Sequence, residues 1–208
     1  MHFIRLILIT LIIFKFNYAF SLDWNDVYQT KTGQDKHKII TQLAKQGDGK
    51  AQFVLSYHYR LGEFVEMNWK LADKWLIKSA NNGYAEAEYM LGSSYNSPKY
   101  NFPVNNEKAV FWLQRAAKHG HIDAQYELGE HYHVGLGINK DLILSYVWLV
   151  LASRNESFIA IRSRNMVENE MTEEQLKTAK TKVPVYLDKY VKQIKSSIPL
   201  KMLSIESY

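Results

Sequence analysis

The sequence predicts an all-α fold, a right-handed α-solenoid of helix-turn-helix repeats that ends in C-terminal capping helices. Two observations predict this class: one motif recurs three times at nearly constant spacing, and a second helical pattern with a tryptophan follows each copy. The 208 residues are 47% hydrophobic and include 10 Gly and 4 Pro. This composition can build a hydrophobic core, and it excludes collagen-like and disordered chains.

The first element, residues 1–21, has the pattern of a secretory signal peptide. Met1–Arg5 is short and basic, Leu6–Phe14 is a run of nine apolar or Thr residues, and Ala19–Ser21 places small residues two apart. A transmembrane anchor is the alternative, but a span needs about 20 apolar residues and Lys15 interrupts the run. We therefore expect a secreted or periplasmic mature protein with no stable membrane span.

Cleavage is expected near Leu22 or Phe20, and residues 22–36 are expected to form an N-terminal linker. Removing residues 1–21 lowers the formal net charge from +5 to +3. This excess is too small to predict a nucleic-acid partner, which needs a clustered basic face. The chain has no Cys, so the exported form contains no disulfide bond and no thiol nucleophile.

The repeated motif organises residues 37–155. In each copy an Ala is followed by an aromatic residue two positions later, by Leu at four, by Ser or Gly at five and by Tyr at eight, which is a helical period. The copies begin at Ala51, Ala87 and Ala124, so the spacings are 36 and 37 residues. We divide the solenoid into a half unit at 37–50 and repeats at 51–84, 85–121 and 122–155.

Each repeat continues into a second helix that contains a tryptophan. Trp75, Trp112 and Trp148 follow the repeat tyrosines by 16, 17 and 16 residues. Small residues near each Trp allow another helix to approach, and the Trp is predicted to fill the space between helices. Gly83 and Gly120 are predicted to end the second helices in the left-handed conformation, with Asn155 in the same role in the third repeat.

These residues resemble the Sel-one-like repeat family, a relative of the tetratricopeptide repeats. The third copy carries the motif almost completely, as Ala-Gln-Tyr-x-Leu-Gly-x-x-Tyr-x-x-Gly-x-Gly-Ile at Ala124–Ile138. The second copy departs from it, with Pro98 in the place of a Gly and a longer loop at Ser97–Val104, and the first has Phe64 in the place of the second Gly. The resemblance implies a solenoid of helix pairs that acts as a scaffold or adaptor.

The remaining residues, 156–208, are predicted to form helices that cap the open end of the solenoid. Phe158–Asn169 has the pattern of one helix, and Thr172 and Gln175 form a capping box that begins the next. The residues that share one face of that next helix are Leu176, Ala179 and Val183.

Pro184 is predicted to kink or end this helix. An apolar stripe continues beyond it at Leu187, Tyr190, Val191, Ile194 and Ile198. We interpret the stripe as part of the cap, and a helix that binds a partner or a membrane is the alternative.

The sequence offers few groups for metal chemistry. The seven His include the pairs His119/His121 and His131/His133. On a helix His131 and His133 lie about 200° apart and cannot share one ion, and His119 and His121 flank Gly120 at the end of a helix. We expect no metal and no cofactor. Gly135–Gly137 lacks the Gly-Lys-Ser/Thr of a phosphate-binding loop, and we interpret it as a turn between helices.

One enzymatic alternative follows from the resemblance, because some secreted relatives are described as binding or hydrolysing β-lactams. The nucleophile motif Ser-x-x-Lys does not occur in this sequence, and Lys31-Thr32-Gly33 matches a second motif of such enzymes by its letters only. The chain also lacks the disulfides of that branch. We therefore expect that it is not an enzyme.

The candidate binding surface lies on the first helices of the repeats. With Leu55, Leu91 and Leu128 at the packing position, residues spaced i, i+4 and i+7 form a stripe on a neighbouring face. The recurring rings of Phe53, Tyr89 and Tyr126 are interpreted as packing. The positions that vary between repeats form the predicted binding set, which is Tyr57, Arg60, Ser93, Asn96, Glu130 and His133.

The sequence therefore predicts an exported repeat scaffold or adaptor that binds a protein or peptide through its concave groove, in a bacterial envelope or in interaction with a host. Two alternatives stay open. One is an enzyme that acts on cell-wall peptides or β-lactams. The other is a quality-control adaptor of a eukaryotic secretory pathway, in which Asn155-Glu156-Ser157 would be a glycosylation sequon.

Overall fold

The computed structural model describes residues 24–30, 32–97 and 102–192, and within these ranges the chain forms helices and no β-strand. The expected signal peptide at 1–21 and the stripe residues Ile194 and Ile198 lie outside the described residues. The helices are α1 (Trp24–Gln29), α2 (Gly33–Gln46), α3 (Gly49–Leu61), α4 (Trp69–Asn81), α5 (Ala85–Asn96), α6 (Asn106–Lys118), α7 (Ile122–Val134), α8 (Leu142–Ala152), α9 (Phe158–Glu170) and α10 (Glu173–Leu187).

The chain divides into two compact units, Met1–Trp75 and Leu76–Tyr208. In the first unit α2 packs against α1 and α3. In the second unit each of the helices α5 to α8 packs against the next one along the chain, and α10 packs against α8. The predicted fold class, an all-α stack of helix-turn-helix repeats with C-terminal helices, is confirmed.

Most helices begin at a residue whose side chain caps the helix. The side chains of six N-cap residues accept a hydrogen bond from the backbone N–H three positions later, namely Thr32, Asp48, Asn105, His121, Asp141 and Thr172. Each cap of this kind stabilises a helix by about 1 kcal/mol. Residues 22–36, expected as a linker, therefore contain α1 and the first turn of α2, which Thr32 caps.

The second helices of the repeats end in left-handed residues, as the sequence predicts. Gly83 has φ 79° and Gly120 has φ 87°. The prediction for the third repeat is wrong by one position: Asn155 belongs to a short 3₁₀ turn at Ser153–Asn155, and Glu156 takes the left-handed conformation with φ 58°. The added 3₁₀ turn shifts the end of the helix past Asn155.

Phe64 keeps the backbone conformation of the glycine that it replaces in the first repeat. Its φ is 63°, and that of the equivalent Gly137 in the third repeat is 69°. A residue with a Cβ pays about 1–2 kcal/mol for this conformation. The Phe64 ring packs against His58 with ring centres 5.3 Å apart, and this contact offsets part of the strain.

The hydrophobic core of the first unit is formed by α1, α2 and α3. Its buried residues are Val27, Ile40, Leu43, Ala44, Ala51 and Leu55. The side chains of Trp24, Val54, Tyr59 and Trp75 pack against this core from partly exposed positions. The predicted packing role of Leu55 is confirmed.

The repeat leucines and small residues bring the helices of the second unit into close contact. Leu91 and Leu128 are buried, in agreement with their predicted packing role. A Cβ atom at Gly92 would lie 2.8 Å from Leu113 Cγ, and one at Gly129 would lie 2.7 Å from Leu149 Cγ. Real Cβ contacts are not this short, so the second and third repeats need a glycine here for their first and second helices to touch.

The three repeat tryptophans differ in burial, and this corrects one prediction. Trp148 is buried, with 3% of its surface exposed, and its ring packs against Tyr186 and Tyr190 of the C-terminal segment. Trp75 and Trp112 are only half-buried. The Trp112 ring instead lies 4.9 Å from the Arg115 guanidinium carbon. Of the three, only Trp148 is buried.

The C-terminal helices cover α8. Phe158–Asn169 is helical as predicted, Thr172 and Gln175 form the predicted capping box, and the predicted shared face is confirmed because Ala179 is buried with Leu176 and Val183 packed around it. Pro184 does not end the helix.

Helix α10 instead runs through Pro184 to Leu187 and passes into a π-helical turn at Asp188–Lys192. Proline has no N–H for the carbonyl of Lys180, so one hydrogen bond of the helical ladder is absent at this turn. Within the described residues no helix is both long enough and apolar enough to cross a membrane.

Candidate functional site

Two residues of the predicted binding set, Tyr57 and Arg60, belong to the first unit. The Arg60 guanidinium donates from Nη2 to Asp73 Oδ1 over 3.2 Å and lies 5.5 Å from the centre of the Trp69 ring. The Arg60 side chain is only 12% exposed. The Tyr57 ring packs edge-on against Phe53, with centres 5.0 Å apart. Arg60 is thus held in an internal ion pair rather than extended into solvent.

The other four predicted residues, Ser93, Asn96, Glu130 and His133, belong to the second unit and are half-buried. Ser93 Oγ donates to the Glu127 carboxylate over 3.3 Å, and His133 Nε2 lies 2.8 Å from Glu170 Oε1. Glu130 Oε1 is buried and has no hydrogen-bond partner among the described residues. The variable positions therefore combine internal pairs with one unsatisfied carboxylate oxygen, and their role in binding stays a prediction.

A small cavity lies beside the first helices of the second unit. It has a volume of about 270 Å³ and is lined by α5, the first two turns of α7, the end of α8 and the start of α9. Its polar walls are Tyr89, Asp123, Tyr126 and Glu127, and its apolar walls include Ile122 and Ile159. None of these residues is in the predicted binding set, because the sequence pattern predicts a packing role for the two tyrosines and does not indicate the others.

The Glu127 carboxylate is the hydrogen-bonded acid of this cavity wall. Its Oε1 atom accepts hydrogen bonds from the Tyr89 hydroxyl over 2.9 Å and from Ser93 Oγ over 3.3 Å. Burial, followed by the negative charge of Glu127, raises the pKa of Tyr89 to about 12, and the charge of Asp123 acts in the same direction. The Tyr89 phenol therefore remains a neutral donor at any physiological pH.

A comparison between repeats could have found Glu127 in the sequence. Three positions after the repeat Ala, the first repeat has Val54, the second has Met90 and the third has Glu127. An acid at a position that is otherwise apolar marks a local change of chemistry. The features that the three copies share do not indicate Glu127, because it is a departure from the repeat.

A second departure from the repeat motif is Glu88, which occupies the position that Gln52 and Gln125 occupy in the first and third repeats. These two glutamines are buried, and their amides donate to the carbonyls of Ala44 and Ala117 over 3.0 and 3.1 Å. Glu88 has no amide donor and a side chain that is 0% exposed. A carboxylate at this position therefore needs a new set of partners.

Helix α6 provides these partners. Arg115 Nε donates to Glu88 Oε1 over 2.8 Å, and His119 Nδ1 lies 2.6 Å from Glu88 Oε2. Arg115 Nη2 also donates to the Ala80 carbonyl over 3.1 Å, which is the bond that a glutamine would make in the other repeats. This cluster joins α4, α5 and α6 inside the second unit and has the character of a structural ion pair.

The predicted separation of the histidine pairs is visible in their contacts. His131 Nδ1 lies 2.7 Å from the Leu136 carbonyl oxygen, whereas His133 faces Glu170. His119 faces Glu88, whereas His121 stacks on Tyr89 at 4.2 Å and pairs with Glu86. Across residues 24–30, 32–97 and 102–192, no group of three or more His, Cys, Asp and Glu is arranged to hold a metal ion.

The paired helices, the recurring glycine contacts and the stacked order of the second unit define a helix-pair repeat protein. The Sel1 repeat model matches residues 49–84, 85–121 and 122–157, which is just over half of the chain. The chain belongs to the Sel1 repeat family. Proteins of this family are generally non-enzymatic scaffolds, and their repeats generally mediate protein interactions.

Two solved structures are similar to this chain. A Sel1 repeat protein from Oxalobacter formigenes is 32% identical, with a TM-score of 0.58, and the match covers 61% of this chain and 94% of that one. The protein c5321, a protective antigen of uropathogenic Escherichia coli strains with an SLR fold, is 20% identical, with a TM-score of 0.42 over 86% of this chain and 53% of that one. No curated protein matches this chain.

Proposed function

We propose that this chain is an exported scaffold that binds a protein or peptide partner on the first helices of its repeats. The observation that carries the proposal is the cavity beside α5 and α7, which brings two tyrosines and two carboxylates together with apolar side chains. A mixture of aromatic, apolar and a few polar groups is typical of binding sites. The general role of Sel1 repeats in protein interactions supports the same function.

The proposed setting is outside the cytoplasm, in the periplasm or envelope of a bacterium or at its contact with a host. This part of the proposal rests on residues 1–21, whose basic start, nine-residue apolar run and small residues before the polar Asp23 suit a cleaved signal peptide. An exported scaffold without Cys would fold in an oxidising compartment with no risk of wrong disulfide pairing.

Site-specific photo-crosslinking tests the binding face without breaking its internal ion pairs. Benzoylphenylalanine is placed at Tyr57 and, separately, at Asn96, both half-buried on first helices, and as a matched control at Phe111, which is exposed on the second helix α6. We expect the first two positions to capture a common partner in the native envelope fraction and the control to capture none. Capture at Phe111 alone, or at none of the three, would refute the proposed face.

A further inference from the structure

We infer that the cavity between α5, α7 and α9 is a receptor for one basic side chain, Arg or Lys, of an extended peptide segment of a partner. The inference deepens the proposed function and rests on it, because it names the chemistry that the first-helix face recognises. It is carried by the size of the cavity, by its charge and by the arrangement of its tyrosines.

The size of the cavity suits a single side chain. Its volume of about 270 Å³ lies just below the range of about 300–1,000 Å³ that is typical of sites for whole small molecules. The apolar walls contributed by Ile122, Ile159 and Ala160 match the methylene stem of Lys or Arg, which packs on apolar surface while its charged head reaches polar groups. Ile159 is 62% exposed, so the cavity is open to a chain that passes over α9.

The charge of the cavity is negative. Asp123 and Glu127 are the charged residues of its wall, and no Lys or Arg is among the residues that line it. Among the described residues, neither carboxylate forms an ion pair: Glu127 has hydroxyl donors only, and Asp123 is exposed in the first turn of α7. A half-buried carboxylate that is held by two hydroxyls and lacks a cation is arranged to accept one from a partner.

The tyrosines place aromatic surface beside these carboxylates. Tyr89 and Tyr126 both line the cavity, and a guanidinium or ammonium over a tyrosine ring gains a cation–π attraction that is larger when water is displaced. His121 stacks on Tyr89, but its Nε2 lies 3.1 Å from Glu86 Oε2 and it is not among the residues that line the cavity. The cavity thus offers charge, rings and apolar contact together.

Peptide pools with a fixed central residue test this inference. The full chain is incubated with four pools of fluorescein-labelled nonapeptides, in which the central residue is Arg, Lys, norleucine or Glu and the other positions are randomised. We expect the Arg and Lys pools to bind at least about tenfold more tightly than the other two, the effect of one charge-assisted contact. The chain itself has a net charge of +5, so overall electrostatics work against this preference.

Two double variants locate the effect. Asp123→Asn with Glu127→Gln removes both charges but keeps an oxygen that can accept the Tyr89 hydrogen bond, and it should abolish the preference. Glu107→Gln with Glu174→Gln removes the same charge from two exposed first-turn positions outside the cavity and should leave the preference unchanged. Circular dichroism checks that both variants keep the helix content.

The outcomes separate this inference from the proposed function. Equal binding of all four pools, or a basic preference that survives Asp123→Asn with Glu127→Gln, overturns the inference and leaves a peptide-binding scaffold. Binding of no pool also overturns it, and together with an absence of crosslinking at Tyr57 and Asn96 it overturns the proposed function as well.

Discussion

At the residue scale, the repeat tryptophans are equivalent in sequence but not in energy. Trp148 of α8 is buried against the rings of Tyr186 and Tyr190, whose centres lie 5.4 and 5.6 Å from its own. Trp112 is half-buried and faces Arg115 and Phe111. The C-terminal segment supplies aromatic partners that the middle repeat does not have.

We expect Trp148→Ala to lower the free energy of unfolding by about 3–5 kcal/mol, because it leaves a large cavity beneath the C-terminal helices. Trp112→Ala serves as the matched control and should cost markedly less, because part of that ring is already in water. Urea unfolding followed by circular dichroism measures both. Equal losses in the two variants would mean that the difference in burial has no energetic consequence.

Another residue-scale feature is a buried pair of histidines in the first unit. His37 and His58 are 9% and 6% exposed, and their Nδ1 atoms lie 2.8 Å apart. In such a contact one ring donates its Nδ1 proton and the other accepts it, so both rings cannot be protonated at once. Burial lowers the pKa of both rings, and the positive charge of His37 lowers that of His58 further, against a smaller opposing effect of Glu63.

This pair predicts a loss of stability in acid. The unfolded histidines bind protons near pH 6.5, whereas the folded pair binds them only at lower pH, so the unfolded state holds more protons in this window. The contribution of the pair to the free energy of unfolding is therefore complete above about pH 6.5. It is lost as the pH drops below that value. The free energy of unfolding in urea, measured at pH 7.5 and 5.5, gives the size of the effect.

The control is the double variant His37→Phe with His58→Phe, which keeps two rings and removes both hydrogen-bonding partners together. It should lose less stability than the wild type between the two pH values, because the other titrating groups are common to both proteins. An identical pH dependence would show that this pair does not titrate on unfolding.

At the element scale, the Glu88 cluster is the main contact that distinguishes the second repeat from the others. The third repeat has Gln125 and Leu151 in the positions of Glu88 and Arg115. Its glutamine donates directly to the Ala117 carbonyl, so no arginine is needed. In both repeats the carbonyl near the end of the preceding helix accepts a side-chain hydrogen bond. Arg115, paired with Glu88, donates it in the second repeat, and Gln125 donates it in the third.

We predict strong coupling between Glu88 and Arg115. Arg115→Leu alone should cost about 3 kcal/mol, because it leaves the buried Glu88 with His119 only and removes one of the two hydrogen bonds that the Ala80 carbonyl accepts. The double variant Glu88→Gln with Arg115→Leu copies the third repeat and should recover most of this loss. Unfolding free energies of the wild type, both single variants and the double variant form the cycle, and additive losses would contradict the prediction.

The repeated features of the elements were predictable, and the departures were not. Leu55, Leu91 and Leu128 are buried because each repeat needs the same apolar contact between its helices. Glu156 takes the turn expected at Asn155 because a 3₁₀ turn is inserted, and helix α10 continues past Pro184 because its packing on α8 outweighs one lost hydrogen bond. These outcomes depend on tertiary contacts, which a repeat pattern does not contain.

The candidate site was likewise predictable only in part. The sequence predicts a site on the first helices, at the positions that vary between repeats. In the structure two of these residues, Arg60 and His133, are paired with Asp73 and Glu170. Glu127 was missed although it stands where the other repeats have Val54 and Met90. Which acids lack a cation depends on neighbours from other helices, and a single stripe does not reveal them.

At the scale of the whole molecule, the proposed function depends on where the chain is delivered. The nine-residue run Leu6–Phe14 is too short to span a bilayer, which needs about 20 apolar residues, but it is long enough for the apolar region of a signal peptide. Export would therefore leave a chain that starts near Phe20 or Leu22. The basic residues lost with it, Arg5 and Lys15, account for the change in net charge from +5 to +3.

We predict that the full-length chain expressed in a bacterium with a periplasm is recovered in the periplasmic fraction with residues up to Ala19 or Ser21 removed. Intact-mass spectrometry reads the new N-terminus directly. The control is Leu8→Arg, which puts a charge in the middle of the apolar run and should keep the chain at its full length of 208 residues in the cytoplasm, because a signal peptide needs an uninterrupted apolar region. If the unmodified chain keeps its full mass in the membrane fraction, residues 1–21 act as an anchor, and the scaffold works while attached to a membrane surface.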